Sequence, residues 1–115
     1  MRYDETIASK CRYGDVAQRI FGEDEIIWED SEEGYTGSAS LLVKRQDGSF
    51  AHYEWSYGSC SGCDDWEMRE LTDDQIEAEM RAQTAWLSNG AAVKRYATDE
   101  MLTAFLAWVE ARLLG

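Results

Sequence analysis

Apolar positions recur at helical spacing near both ends of the chain and alternate in its middle. Ile7, Cys11, Ala17, Ile20 and Phe21 fall on one stripe, predicting helix over 5–21 with a break near Gly14. Asp15 is placed to cap the second helical piece, and Gly22 to end it. Residues 25–57 read as strands. Ile26-Ile27-Trp28 is a short apolar run between acids. From Ser38 to Arg45, Ala39, Leu41 and Val43 alternate with Ser40, Leu42 and Lys44. Asp47-Gly48 then predicts a two-residue hairpin turn. Such a turn pairs Gln46 with Ser49, setting Val43 opposite His52 and Leu42 opposite Tyr53. Ala51, Tyr53, Trp55 and Tyr57 share one face of the returning strand. That aromatic face reads as sheet core under a helix in preference to a ligand platform. The polar, glycine-rich 29–37 stretch is either a loop or the tip of a longer hairpin.

A second helix is predicted over 72–88. Thr72 and Gln75 form a capping-box pair, and Asp73 and Asp74 suit the positive end of the helix dipole. Ile76, Met80, Gln83 and Leu87 line one face, and Asn89-Gly90 marks the end. The last helix has Thr98 as cap and a broad stripe of Met101, Leu102, Phe105, Leu106, Val109 and Leu113. These elements predict one α+β domain over 1–115. Its antiparallel sheet has about three strands, with a central β-hairpin, and is packed by N- and C-terminal helices.

At 115 residues and 44% hydrophobic, with five Trp and six Tyr, the chain has enough apolar surface for a core. There is no repeat, and no run of apolar residues approaches a membrane span. Met1 to Glu5 lacks the apolar run of a signal peptide, so the expected location is the cytoplasm.

The net charge of −12 argues against direct binding to nucleic acid, which requires Lys and Arg at the phosphates. The excess is concentrated in the middle. Residues 1–22 and 80–115 each carry three acids and four bases, whereas 23–79 carry 17 acids and three bases. Such clusters serve solubility, or they form a docking surface for a basic partner. Glu29, Asp30, Glu32, Glu33, Asp64, Asp65, Asp73 and Asp74 are the candidate docking residues. A DNA mimic is the extreme form of this reading. Self-association through the aromatic surface or the last helix is a further alternative.

One motif has metal or thiol chemistry in it. Cys60 and Cys63 have Cys-x-x-Cys spacing. With Cys11 and His52 they make up a Cys₃His set, the ligand count of a structural zinc site, although a second paired element is missing. No other cofactor is expected. A redox thiol would be opposed by Asp64, Asp65 and Glu67, because nearby negative charge raises a thiol pKa. The third alternative is a compact loop of small residues, with the two thiols packed or reversibly bridged. His52 has no nucleophile partner set by motif, and there is no phosphate-binding loop. The sequence thus points away from an enzyme.

The stretch Tyr57-Gly58-Ser59-Cys60-Ser61-Gly62-Cys63-Asp64-Asp65-Trp66-Glu67 resembles one in small acidic proteins encoded by bacteriophages and actinobacterial genomes. In those proteins a Tyr-Gly-Ser-Cys-x-Gly-Cys-Asp segment follows a strand of the Tyr53-Glu54-Trp55 kind. The similarity covers residues 35–67. It implies a phage accessory protein in the bacterial cytoplasm that binds and modulates a host protein. The expected partner is a basic host surface, such as that of a nucleic-acid-binding protein.

Overall fold

The computed structural model describes residues 1–34, 36–58 and 64–114. Its centre is a four-stranded antiparallel meander in the order β1-β2-β3-β4. The strands are β1 (Glu25–Glu32), β2 (Gly37–Lys44), β3 (Phe50–Tyr57) and β4 (Ala85–Leu87). The helices are α1 (Gly14–Phe21), α2 (Asp65–Met68), α3 (Asp73–Gln83), α4 (Gly90–Tyr96) and α5 (Asp99–Leu114). The α+β class is as expected, with four strands in place of about three. Among the described residues, no helix is long and apolar enough to cross a membrane.

Helices pack on both faces of the sheet, on the second at one end only. On the first, Ala39, Leu41, Val43, Ala51, Tyr53, Trp55 and Tyr57 pack with Val16, Ile20 and Phe21 of α1 and Ile76 and Met80 of α3. The aromatic side of β3 is therefore core. On the second, Leu42 and Phe50 pack with Val93 of α4, Ala97 just after it, and Met101 and Phe105 of α5. The central strand β2 is consequently buried from Ala39 to Val43. Edge strand β4 carries the chain between the layers. Residues Ala85–Leu87 were expected in the second helix, but that helix stops at Gln83 and they pair with β3. Asn89 does not end a helix. Its side chain accepts from the Ala92 N–H at 2.9 Å and starts α4.

The N-terminal segment forms two 3₁₀ turns, Tyr3–Glu5 and Ala8–Lys10, before α1. Asp15 does not cap α1; Tyr13 stands at the cap position with φ 69°. The expected Thr72–Gln75 capping box is present, with bonds of 2.9 and 3.3 Å in the two directions.

The β2–β3 hairpin differs from expectation by one residue. Gly48 N–H bonds to the Arg45 carbonyl, Arg45 N–H bonds to the Ser49 carbonyl, and of the loop residues Gln46, Asp47 and Gly48 it is Gly48 that has positive φ, at 89°. This is a three-residue loop with a glycine bulge, not a two-residue turn. Val43 therefore faces Ala51, and Leu42 faces His52. The polar 29–37 stretch proves to be the end of a long hairpin, since β1 runs to Glu32 and β2 begins at Gly37. An irregularity between Ile26 and Trp28 sets Ile26 opposite Val43 but Trp28 opposite Leu42. The extra residue moves Trp28 to the second face, leaving Ile26 on the first.

Candidate functional site

Residues directly opposite each other in antiparallel strands share a face, so the register fixes what the second face displays. Besides the Glu25, Lys44 and Phe50 row beneath α5, three rows cross it from β1 to β3. The first is Trp28, Leu42 and His52; the second is Asp30, Ser40 and Glu54; the third is Glu32, Ser38 and Ser56. The first row runs into the α4–α5 layer through Leu42. The other two are acid and serine, with Asp30, Glu32, Ser38, Glu54 and Ser56 exposed. β4 pairs only with Phe50–His52, so among the described residues β3 has no outer strand partner from Tyr53 onward.

Two concavities of about 450 Å³ each open on this surface. One is lined by Asp30, Ser38, Ser40, Glu54 and Ser56, and beyond the β3 edge by Asp65, Trp66 and Gln83. The other is lined by Trp28, Ser40, His52, Glu54 and the start of α5, Thr98 to Met101. They share Ser40 and Glu54. Neither is lined by a described Lys or Arg.

A hydrogen-bonded chain stiffens the floor between them. Ser40 Oγ is bonded to His52 Nε2 at 3.0 Å, and His52 Nδ1 to the Tyr96 hydroxyl at 2.6 Å. Ser40 is thereby buried without losing its partner. The rings of Trp28 and Tyr96 lie 6.4 and 5.4 Å from that of His52. Burial pushes the imidazole below its usual pKa, partly opposed by Glu54. His52 is thus neutral near pH 7, and the surrounding charge is that of the carboxylates.

The expected docking acids do not form one surface. Asp30 and Glu32 lie on the second face, Glu33 follows at the hairpin end, and Asp65 stands beyond the β3 edge. Glu29 points the other way and accepts from the N–H groups of Ile7 and Ala8 at 3.2 and 2.6 Å. Asp64 is buried; it caps α2 by accepting from the Glu67 N–H and lies 3.4 Å from Arg12. Asp73 and Asp74 start α3 and face Arg19 of α1 at 3.7 and 2.9 Å. Glu29 and Asp64 are occupied in holding the fold, and Asp73 and Asp74 flank a different surface. In their place the structure brings Glu54, Asp99 and Glu100 beside Asp30 and Asp65. Sequence spacing gave no sign of this. In sequence Asp99 and Glu100 simply follow Thr98 at the start of the last helix, and Glu54 lies in the returning strand on the side opposite Tyr53 and Trp55.

The candidate zinc set is divided. Cys60 and Cys63 lie outside the described residues. Cys11 is buried in the first-face core, its thiol donating to the Glu32 carbonyl at 3.4 Å, and burial pushes its pKa up. His52 is on the opposite face, held by Ser40 and Tyr96. A single ion therefore cannot take both Cys11 and His52. Among the described residues, no group of three His, Cys, Asp or Glu side chains is placed to hold a metal.

Comparison of the chain with family models, with curated proteins and with solved structures gives no match.

Proposed function

We propose that this is a non-enzymatic binding protein that docks the basic surface of another protein onto the second face of its sheet. One observation carries the reading. Two adjoining concavities, sharing Ser40 and Glu54, gather Asp30, Glu54, Asp65, Asp99 and Glu100 without a described base among their lining residues. Carboxylates so arranged on a rigid sheet attract cations before contact and favour a basic partner. Among the described residues β3 has no outer strand partner from Tyr53 onward, and a partner strand can extend the sheet there. In keeping with the resemblance to phage proteins, the partner we propose is a bacterial host protein of the cytoplasm, such as a nucleic-acid-binding one.

The test is a calorimetric titration with a synthetic peptide of alternating Arg and Ser, at salt concentrations of about 50 mM and about 300 mM. Surface electrostatics are screened over about 10 Å at 0.1 M salt, so affinity should fall steeply across this range. The triple variant Asp30→Asn, Glu32→Gln, Glu54→Gln should bind weakly at both concentrations. Binding indifferent to salt, or to the triple variant, would reject this face as the docking surface.

A further inference from the structure

The chain uses one arrangement three times to hold its own arginines: an aromatic ring on one side and a carboxylate on the other. The Arg12 guanidinium lies 5.3 Å from the Tyr13 ring centroid and is paired with Asp64 and Glu67. Arg45 lies 4.9 Å from Trp86 and 3.3 Å from Asp24. Arg112 lies 4.3 Å from Trp108 and is paired with Glu25. This suits a guanidinium, which is planar, weakly hydrated and able to stack and pair at once.

A fourth set has no arginine among its described lining residues. Trp28 and His52 form the aromatic part of the cavity at the start of α5, and Glu54, Asp99 and Glu100 supply the carboxylates. We propose that this cavity is a socket for an arginine side chain of the partner. The inference rests on the basic-partner reading and adds the residue type that anchors it.

Two effects compete over the sign of charge this cavity accepts. The N-terminus of α5 contributes about half a positive charge, which disfavours a cation. Three carboxylates outweigh it. The volume of about 450 Å³ exceeds what one guanidinium needs, so the side chain enters with part of its backbone. Trp28 is half-buried on a strand and His52 is fixed by two hydrogen bonds, so the aromatic wall is pre-formed.

The experiment titrates N-acetyl-arginine amide into the full chain and follows assigned NMR signals. The neutral isostere N-acetyl-citrulline amide is the control. Expected are saturable shifts at the Trp28 indole N–H and the Glu100 and Met101 amides, absent with citrulline. The variant Glu54→Gln, Glu100→Gln alters two exposed side chains and should fold normally; it should weaken arginine binding about fivefold, as loss of about 1 kcal/mol would. Trp28→Phe keeps a ring and should weaken it less than Trp28→Leu. Shifts that are scattered over the acidic surface, or equal for citrulline, would overturn the socket. The Arg-Ser peptide separates the two readings. Salt-sensitive peptide binding with no response at Trp28 removes the socket and keeps the docking face. Arginine amide binding at Trp28 without peptide binding does the reverse.

Discussion

The guanidinium of Arg45 lies 4.9 Å from the centroid of the Trp86 ring, clipping the short edge strand β4 to the end of β2. The same guanidinium stands 3.3 Å from Asp24, whose side chain is almost wholly buried. Burial raises the Asp24 pKa and Arg45 lowers it, with burial the larger effect. Removing one partner of a buried pair leaves an uncompensated charge. Arg45→Ala is expected to destabilise the fold by about 3 kcal/mol at pH 7, measured by urea unfolding. Without Arg45 the folded-state pKa of Asp24 rises further. A raised carboxyl binds its proton more readily in the folded chain, so the deficit should shrink as pH falls toward about 4.5. A deficit that does not vary with pH would mean Arg45 acts through Trp86 and the Ile20 carbonyl, to which it donates at 3.1 Å, and not through Asp24.

His52 gives the opposite pH dependence. Its folded-state pKa is held below 6.5, so below that pH the unfolded chain takes up the proton more readily. Its contribution is complete above pH 6.5 and is lost as pH falls through the folded value. Wild-type protein should therefore lose more stability between pH 7.5 and 5.5 than His52→Gln does. Equal losses would show that other groups carry the dependence.

Tyr96 joins α4 to the sheet through His52 Nδ1. Tyr96→Phe removes the hydroxyl and keeps the ring. The expected cost is about 1 kcal/mol, the usual net value of one hydrogen bond. Faster amide hydrogen exchange in Gly90–Tyr96, with β2 unaffected, should accompany it. Uniform loosening of the whole chain would place the effect elsewhere.

Gly14 opens α1 against the preceding 3₁₀ turn. A Cβ there would lie 2.4 Å from the Ala8 carbonyl oxygen and 2.8 Å from that of Ser9, both backbone atoms. Gly14→Ala should cost about 2 kcal/mol, because backbone must move to relieve the overlap. A neutral result in a thermal melt would show that the turn yields freely.

The Thr72 side chain accepts from the Gln75 N–H at the start of α3. Thr72→Ala should cost about 1 kcal/mol by urea unfolding, and Thr72→Ser should recover most of it. Failure of Ser to recover stability would assign the loss to the methyl group.

Much of the fold is legible in the sequence because it is local. Alternation in Ala39–Val43 and Phe50–Tyr57, the stripe through Met101 and Phe105, and the Thr72–Gln75 pair each depend on neighbours a few residues apart. The excess of acid in the middle of the chain is likewise a property of composition. The binding face is not local. It depends on a one-residue difference in the β2–β3 register, which sets Glu54 opposite Ser40, where the two-residue turn would have set it opposite Leu41. It depends also on the irregularity at Ile27 that sends Trp28 to the second face. Asp-Gly is compatible with either turn, and the structure has the one that places Val43 against Ala51 and buries the odd-numbered positions together. The strand signal of Ala85–Leu87 was three residues long and merged into the preceding helix until β3 supplied a partner. The sequence by itself therefore determined the element types and the sign of the charge. Only tertiary packing decided which acids stand together, because a strand's side chains change faces with every residue of register.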